Sequence, residues 1–255
     1  MKAMDNVLVT RSKSRPSGAS YINHIFTDFT ELHGDRRFGD DKAVVAGLAY
    51  LDDIPVTVIA TEKGSDAKSR ALRNFGSAHP EGYRKALRLM KQAEKFHRPI
   101  ICFIDTSGAF CGIGAEERGQ AQAIAENLMD MMNLKTPIIS VLVGEGGSGG
   151  ALGLAVANEV WMLERSVYSV ISPEGCASIL YKDSKQAEKA AEYLKLTAGD
   201  LFGLGVIEKI VPDSDYSETY RLLKSELLFT INNLMLLSPE DVAEQRKNKF
   251  RAIGR

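Results

Sequence analysis

The sequence predicts an α/β fold with a helical C-terminal extension, and three observations support this prediction. A buried strand, a glycine-rich loop and a helix start occur in this order twice in the 255 residues, at 99–114 and at 137–150. Two β-branched runs separated by a turn precede both repeats, at residues 43–61. From Pro173 onward the hydrophobic spacing is mostly helical. A hairpin followed by repeated strand and helix units indicates an α/β core.

The N-terminal half contains an arm, a helix, a hairpin and a long helix. Residues 1–20 are polar and basic, and we expect a flexible arm there. Residues 21–32 predict a helix. The Asp-Asp pair at 52–53 lies between the two β-branched runs, which is typical of a hairpin turn. Pro80 marks the start of the long helix, whose apolar stripe stops before Pro99.

The C-terminal half alternates helices and strands before its helical end. The spacing predicts a helix over residues 116–134 and a shorter one near 151–158, after the second glycine loop. Short β-branched or aromatic runs predict strands over 159–163 and 167–171. A leucine stripe over residues 222–231 predicts an amphipathic helix.

The composition is that of an ordinary globular protein. Hydrophobic residues make up 44% and charged residues 25% of the chain, which suits one sizeable core, so we expect a single domain over residues 21–255. A formal net charge of -1 argues against general nucleic-acid binding. The sequence shows no signal-peptide run and no apolar stretch of bilayer length, so we expect a cytoplasmic protein. Its three cysteines form no C-x-x-C pair, and we expect neither a disulfide framework nor a metal site on this chain.

The two glycine-rich loops are the candidate functional feature. Glycine permits positive φ and close approach to its N–H, and a helix start leaves N–H groups without internal partners. Two such loops in one fold would place N–H donors around partly negative oxygens. The pattern therefore indicates catalysis without a catalytic side chain.

Two other interpretations of the second loop exist. From Gly144 to Gly149 it satisfies the G-x-G-x-x-G dinucleotide pattern, with Glu164 about 20 residues further on. However, the following helix is short, and the first loop has no role in that scheme. The GGSGG run also fits G-x-S-x-G, which would make Ser148 a nucleophile. Every histidine precedes Ser148, whereas α/β hydrolases place the base after the nucleophile, so Ser148 is better explained as a small packing residue.

Other polar residues have simple structural explanations beside the functional ones. Arg84 and Lys85 on the long helix are candidate anion contacts, although their spacing is also typical of the solvated side of an amphipathic helix. His79 suits a capping role before the helix start. Cys111 has no histidine partner nearby in the sequence and suits space filling. We assign no chemistry to residues 172–180, which we expect to form a wall.

Five strings of the sequence are far more specific than a short glycine motif: YINHIFTDFTELHGDRRFGDD, RNFGSAHPEGYRKALRLMKQAEKFHRPI, GIGAEERGQAQAIAENL, GEGGSGGALGLAVANEVWMLE and YSVISPEGCASILYKD. Through these strings, over residues 21–212, the chain closely resembles the α subunits of the bacterial two-subunit acetyl-CoA carboxylase carboxyltransferase. The resemblance implies the crotonase fold, a spiral of β-β-α units, here with the helical C-terminal extension.

The first glycine loop departs from the pattern of this family. Where the family usually has D-T-P-G-A-Y-P-G, residues 105–112 are D-T-S-G-A-F-C-G. The glycines are kept, but Ser107 and Cys111 replace prolines and Phe110 replaces a tyrosine. These substitutions bear on the rigidity of the loop.

The resemblance implies an activity and a set of partners. The activity is transfer of the carboxyl group from carboxybiotin, held on the biotin carboxyl carrier protein, to acetyl-CoA, giving malonyl-CoA for fatty acid synthesis. Negative charge then develops on the biotin carbonyl oxygen and on the thioester oxygen, and both need N–H donors. The implied partners are a β subunit that carries the family's zinc ribbon, in an α2β2 complex whose active sites lie between α and β, and a biotin carboxylase.

The paired loops, taken together with this activity, lead to hypotheses about the roles of their residues. The N–H groups of Gly149 and Gly150 are the expected oxyanion hole, and Gly108 and Ala109 shape the same pocket. The remaining residues expected on the biotin side are Gly112, Gly146, Gly147 and Ser148. A related function is that of another biotin-dependent acyl-CoA carboxylase or decarboxylase. A NAD-dependent oxidoreductase and a non-catalytic scaffold with a partner-binding leucine stripe are the alternatives from other classes.

Overall fold

One sheet of eight strands organises residues 2–254, which are the residues that the computed structural model describes. The strands are β1 (Thr27–Glu31), β2 (Val44–Leu51), β3 (Ile54–Thr61), β4 (Ile100–Thr106), β5 (Ile138–Gly147), β6 (Glu159–Leu163), β7 (Val167–Ser169) and β8 (Lys209–Val211). They pair in the order β1-β2-β3-β4-β5-β6-β8, and β7 pairs with the end of β5.

Helices cover the sheet on both faces. They are α1 (Ala3–Thr10), α2 (Gly18–Ile25), α3 (Ala67–Leu72), α4 (Pro80–Lys95), α5 (Ile113–Glu117), α6 (Gln120–Asn133), α7 (Ser148–Leu152), α8 (Pro173–Tyr181), α9 (Ala187–Leu194), α10 (Ala198–Gly203), α11 (Tyr216–Leu234) and α12 (Pro239–Ala252). The long helix starts at Pro80, and α8 starts at Pro173 with the Ser172 hydroxyl accepting from the N–H of Gly175, as Pro at the first helical position predicts.

The strand directions bring the two glycine loops together. The predicted hairpin is confirmed, since β2 and β3 are antiparallel and joined at residues 52–53. The pairs β3–β4, β4–β5, β5–β6 and β6–β8 are parallel. Ile104 of β4 lies opposite Leu142 of β5. Both loops therefore leave neighbouring strands at the same edge of the sheet.

The core has one layer on each face of the sheet, as the alternation along β4 shows. Cys102 and Ile104 are buried in the layer that holds α4 and α6, whereas Ile101 and Phe103 are buried in the layer that holds α2 and α11. The predicted leucine stripe of α11 is confirmed in this second layer, where Leu223, Leu227 and Ile231 are buried.

Three predicted helices differ from the structure. Residues 27–31, the end of the helix predicted over 21–32, form β1, because their backbone pairs with β2. The helix predicted over 116–134 is interrupted at Gly119, whose φ is 82°. After the second loop only α7 is helical, and the chain to residue 158 forms turns.

Part of the segment expected to be a flexible arm forms α1. Ala3 and Val7 are buried against Ala191 and Leu196. Lys2 pairs with Glu188 at the start of α9, at 2.6 Å. These contacts join residues far apart in the chain, and no local pattern in the first 20 residues shows them.

Candidate active site

The two glycine loops pack directly against each other. A Cβ placed on Gly150 would lie 2.6 Å from the carbonyl carbon of Gly108 and closer still to the nitrogen of Ala109. A Cβ on Gly147 would collide with the carbonyl oxygen of Ser107. Glycine is therefore required at 147 and 150 for this approach of backbone to backbone. The structure thus brings together the predicted residues Gly108, Ala109 and Gly150.

The second loop ends in the first turn of α7, which presents N–H groups. Gly147 occupies the cap position, and no side chain within residues 2–254 caps this helix start. Because N–H groups in a first helical turn lack intrahelical acceptors, Gly149 and Gly150 carry donors that a ligand oxygen can use. Tyr83 holds the turn by donating its hydroxyl to the Gly150 carbonyl at 3.2 Å.

The first loop is held by hydrogen bonds despite its departures from the family pattern. The Thr106 hydroxyl donates to the Gly108 carbonyl at 2.9 Å, and the N–H of Phe110 donates to the Ala78 carbonyl at 3.0 Å. The Gln120 amide donates to the carbonyls of Ala78 and Phe110. These bonds fix the path of the first loop. Cys111 is exposed at the rim of the loop.

Cavity space lies next to the second loop. An apolar pocket of about 420 Å³ is lined by Ser148 and Gly149 together with Leu152, Tyr168 and Phe250. Ser148 also lines a smaller cavity of about 190 Å³, together with Gly146, Gly147 and the start of α8. A ligand therefore has room beside the N–H donors. Gly112 is half-exposed on the other loop, where the atoms nearest to its Cβ position belong to the Phe110 ring.

A buried cluster of ion pairs, which the sequence analysis did not predict, bonds to the backbone at the start of the second loop. Asp105, at the end of β4, accepts from Arg15 Nη2 at 2.7 Å and pairs with Lys63 Nζ at 2.8 Å. Burial by itself raises the pKa of Asp105, but the positive charges of Lys63 and Arg15 and the N–H of Glu145 outweigh it and hold the pKa below its ordinary value. The only signal in the sequence was an Asp at the end of a predicted buried strand.

Arg84 and Lys85 are already paired within the chain. Arg84 Nε donates to Asp35 at 2.8 Å, and the fully buried Lys85 donates to Asp40 at 2.7 Å. Burial raises the pKa of Asp35, but the backbone N–H groups of residues 37–39 and the Arg84 guanidinium lower it to about 2. These pairs give both cations a structural role within the chain, and a role in binding a ligand anion stays a prediction.

Ser148 has the backbone of a strand-to-helix elbow, with φ of 48°, and its side chain is exposed. A nucleophilic serine also needs a base. In the described residues the ring nitrogens of His24, His33 and His79 contact Ser20, Asp40 and Asn74 respectively, and no hydrogen bond joins a histidine to Ser148. His79 moreover stacks on Phe110, with ring centroids 4.0 Å apart. The hydrolase interpretation therefore lacks its second residue, and His79 serves the first loop.

Residues 2–254 contain no group of metal-binding side chains and no membrane-spanning helix. Within this range no three His, Cys, Asp or Glu side chains are grouped so that they could hold a metal ion. No helix in the same range combines the length and the apolar character that crossing a bilayer requires.

The fold and its paired loops define the class of protein. The structure matches the crystal structure of the transcarboxylase 12S core with methylmalonyl-coenzyme A and methylmalonic acid bound, with a TM-score of 0.70 and 18% identity. The match covers 85% of this chain and 42% of that one, so this chain spans about two fifths of its length. The predicted crotonase-like α/β class, in which carboxyltransferases occur, is confirmed.

Sequence comparisons then define the family. The model described as "Acetyl co-enzyme A carboxylase carboxyltransferase-like" matches residues 1–254. The acetyl-coenzyme A carboxylase carboxyl transferase subunit alpha of Ruminiclostridium cellulolyticum is 62% identical over 100% of this chain and 98% of its own length. A relative named subunits beta/alpha, from Natranaerobius thermophilus, is 56% identical over 98% of this chain, which spans 42% of it. The chain belongs to the α-subunit family of the acetyl-CoA carboxylase carboxyltransferase, as the resemblance predicted.

Proposed function

We propose that this chain, together with a β partner, transfers the carboxyl group from carboxybiotin on a carrier protein to acetyl-CoA, giving malonyl-CoA. One observation carries the proposal: the N–H groups of Gly149 and Gly150 lie at the start of α7, where Gly149 borders an apolar pocket and Gly150 packs against the first loop. The carboxylated cofactor supplies CO₂ together with a ureido oxygen that gains negative charge as the CO₂ leaves.

The residues around α7 suit this substrate. The N–H donors of Gly149 and Gly150 stabilise the negative oxygen, and removing one such donor typically lowers a rate by about 10² to 10³. The apolar pocket suits the hydrocarbon part of a neutral ring system. Gly108 and Ala109 support Gly150 from behind, because the first loop packs on that residue. We assign Gly112, Gly146, Gly147 and Ser148 to the same biotin side.

A β partner is supported by the relative whose name joins the two subunits in one protein. We also propose that the partner carries the zinc ribbon and that the complex is α2β2. The complex would act in the cytoplasm together with the carrier protein and a biotin carboxylase. We propose acetyl-CoA, and not a longer acyl-CoA, as the substrate because the relatives carry acetyl-CoA carboxylase names. A related biotin-dependent carboxylase or decarboxylase is the alternative that an acyl-CoA series would reveal.

Reconstitution tests the proposal. The chain is mixed with a zinc-ribbon β partner, and malonyl-CoA-dependent carboxylation of a biotin analogue is measured. We expect activity in the mixture and none in either subunit alone. Turnover by this chain alone would contradict a shared active site. Binding of NAD in a nucleotide titration, with no carboxyl transfer, would instead favour an oxidoreductase.

A further inference from the structure

The Asp105 carboxylate joins the two strands that carry the glycine loops. Besides Arg15 and Lys63, it accepts a hydrogen bond from the backbone N–H of Glu145 at 2.9 Å. Glu145 lies in the second loop, four residues before Gly149. The regular β4–β5 ladder runs to the Ile104–Leu142 pair, and the register shifts just beyond it. Asp105 therefore bonds the second loop at the point where the ladder becomes irregular.

Arg15 extends this contact to the N-terminal segment. Its Nη1 donates to the carbonyl of Val143 at 2.7 Å, and its Nη2 donates to the carbonyl of Thr10 at 2.6 Å. Only 7% of its side chain is exposed. A Cβ on Gly144 would collide with Asp105 Oδ1 and lie 2.6 Å from Arg15 Nη2. The backbone at 143–145 is thus held by the Val143 carbonyl and the Glu145 N–H. Between them, Gly144 leaves the space that Asp105 and Arg15 occupy.

The charges of this cluster are balanced within the chain. Lys63 also lies 3.3 Å from Glu145, and Arg11 pairs with Glu174 at 2.6 Å and approaches Glu145 at 3.6 Å. Because each cation faces a carboxylate, the cluster has no net charge to attract a ligand anion. Buried ion pairs contribute little net stability, because desolvation offsets their attraction, whereas the bonds of this cluster hold the backbone of residues 143 and 145. Geometry is therefore the effect that this arrangement supports.

We propose that Arg15, Lys63 and Asp105 are positioning residues that fix residues 143–145 and thereby aim the N–H groups of Gly149 and Gly150. The proposal rests on the carboxyl-transfer function proposed above. A misplacement of about 1 Å in a catalytic group lowers a rate by about 10². Because these donors act on charge that develops during the reaction, their loss lowers kcat and leaves KM unchanged.

Arg15→Gln in the reconstituted complex tests the kinetic part. We expect kcat to fall by about 10², with unchanged KM for malonyl-CoA and for the biotin analogue, and with unchanged assembly. Asp105→Asn should lose a similar factor, and the double variant should lose no more than the worse single variant. Lys2→Gln, which breaks the exposed pair with Glu188, is the matched control and should keep full activity. If Arg15→Gln and Asp105→Asn fail to fold, Lys63→Gln, which removes the other cation paired with Asp105, is the test variant in their place.

Hydrogen exchange tests positioning independently of catalysis. In Arg15→Gln, amides of residues 143–150 should exchange faster, while the strand cores at 100–104 and 138–142 stay protected. Full kcat with wild-type exchange in Arg15→Gln and Lys63→Gln would overturn the inference. Loss of assembly and of strand protection in both would also overturn it, since the role would then be structural. An inactive wild-type complex would contradict the proposed function and not this inference, because hydrogen exchange still measures whether Arg15 fixes residues 143–150.

Discussion

Gly149 and Gly150 are adjacent, but only one of them has room for a side chain. A Cβ on Gly149 would meet Ile124 Cγ2 at 3.7 Å, which is ordinary van der Waals contact. A Cβ on Gly150 would collide with the backbone of the first loop. A side chain at 150 therefore moves the first loop and cannot report on the N–H of that residue. The N–H hypothesis is better tested at Gly149.

We predict that Gly149→Pro loses carboxyl transfer while Gly149→Ala keeps it. Proline is tolerated in the first turn of a helix but has no N–H, whereas alanine adds a Cβ and retains the donor. In the reconstituted complex, kcat should fall by about 10² to 10³ for the proline variant and stay close to wild type for the alanine variant. Steady-state carboxylation of the biotin analogue measures both.

Circular dichroism and co-purification with the β partner show whether the two Gly149 variants are equally folded and assembled. Equal losses in the proline and alanine variants would assign the effect to the added carbon atoms. Wild-type turnover in Gly149→Pro would remove this N–H from the oxyanion hole.

At the scale of elements, Arg246 attaches helix α12 to the rest of the fold. Its fully buried guanidinium donates to the carbonyls of Met131 at 2.5 Å, Leu134 at 2.8 Å and Thr136 at 2.8 Å, and to Asn158 Oδ1 at 2.6 Å. The first two carbonyls lie at the C-terminal end of α6, where helix carbonyls lack partners and a cation is favoured. Burial lowers the Arg246 pKa to about 10, so the side chain is charged at neutral pH.

Replacing Arg246 by Met should lower the free energy of unfolding by about 3 kcal/mol, because buried carbonyls lose their donors. Arg251→Met on the same helix is the control, since its pair with Glu244 is exposed and a surface substitution changes stability by about 0.5 kcal/mol or less. Urea unfolding of both variants measures the difference. Equal midpoints would show that α12 is held mainly by its apolar contacts.

The elements predicted correctly are those with local signals. Helix α4 and helix α8 begin at prolines, and the β2–β3 hairpin has turn residues between β-branched runs. The helix predicted for residues 27–31 was wrong, because these residues form β1 by pairing with β2, some 20 residues further along the chain. Helix α1 was missed for the same reason, since its partner is α9.

The candidate site was predictable only in part. Glycine spacing and family resemblance identified the two loops, because a close backbone approach demands glycine and leaves it visible in the sequence. The Arg15–Asp105 pair spans 90 residues of sequence, and nothing near either residue indicates the other. A close contact between distant residues becomes visible only when the strand order is known.

At the scale of the whole molecule, one copy of this chain contains both loops. The packing of Gly150 on Gly108, the Asp105 cluster and the apolar pocket all lie within the chain. A second copy is therefore not needed to complete the N–H donors. If each active site combines one α with one β subunit, the sites of an α2β2 complex contribute independently.

This independence predicts a linear mixing experiment. Wild-type chain and Gly149→Pro chain are combined in varying ratios before assembly with the β partner, and turnover per complex is measured. We expect turnover to fall in direct proportion to the variant fraction, so that an equal mixture keeps half of the rate, because each site uses the donors of a single α chain. A quadratic fall, with an equal mixture keeping a quarter of the rate, would mean that two α chains build each site. Mass spectrometry of the assembled complexes confirms that both chains are incorporated equally, which the comparison requires.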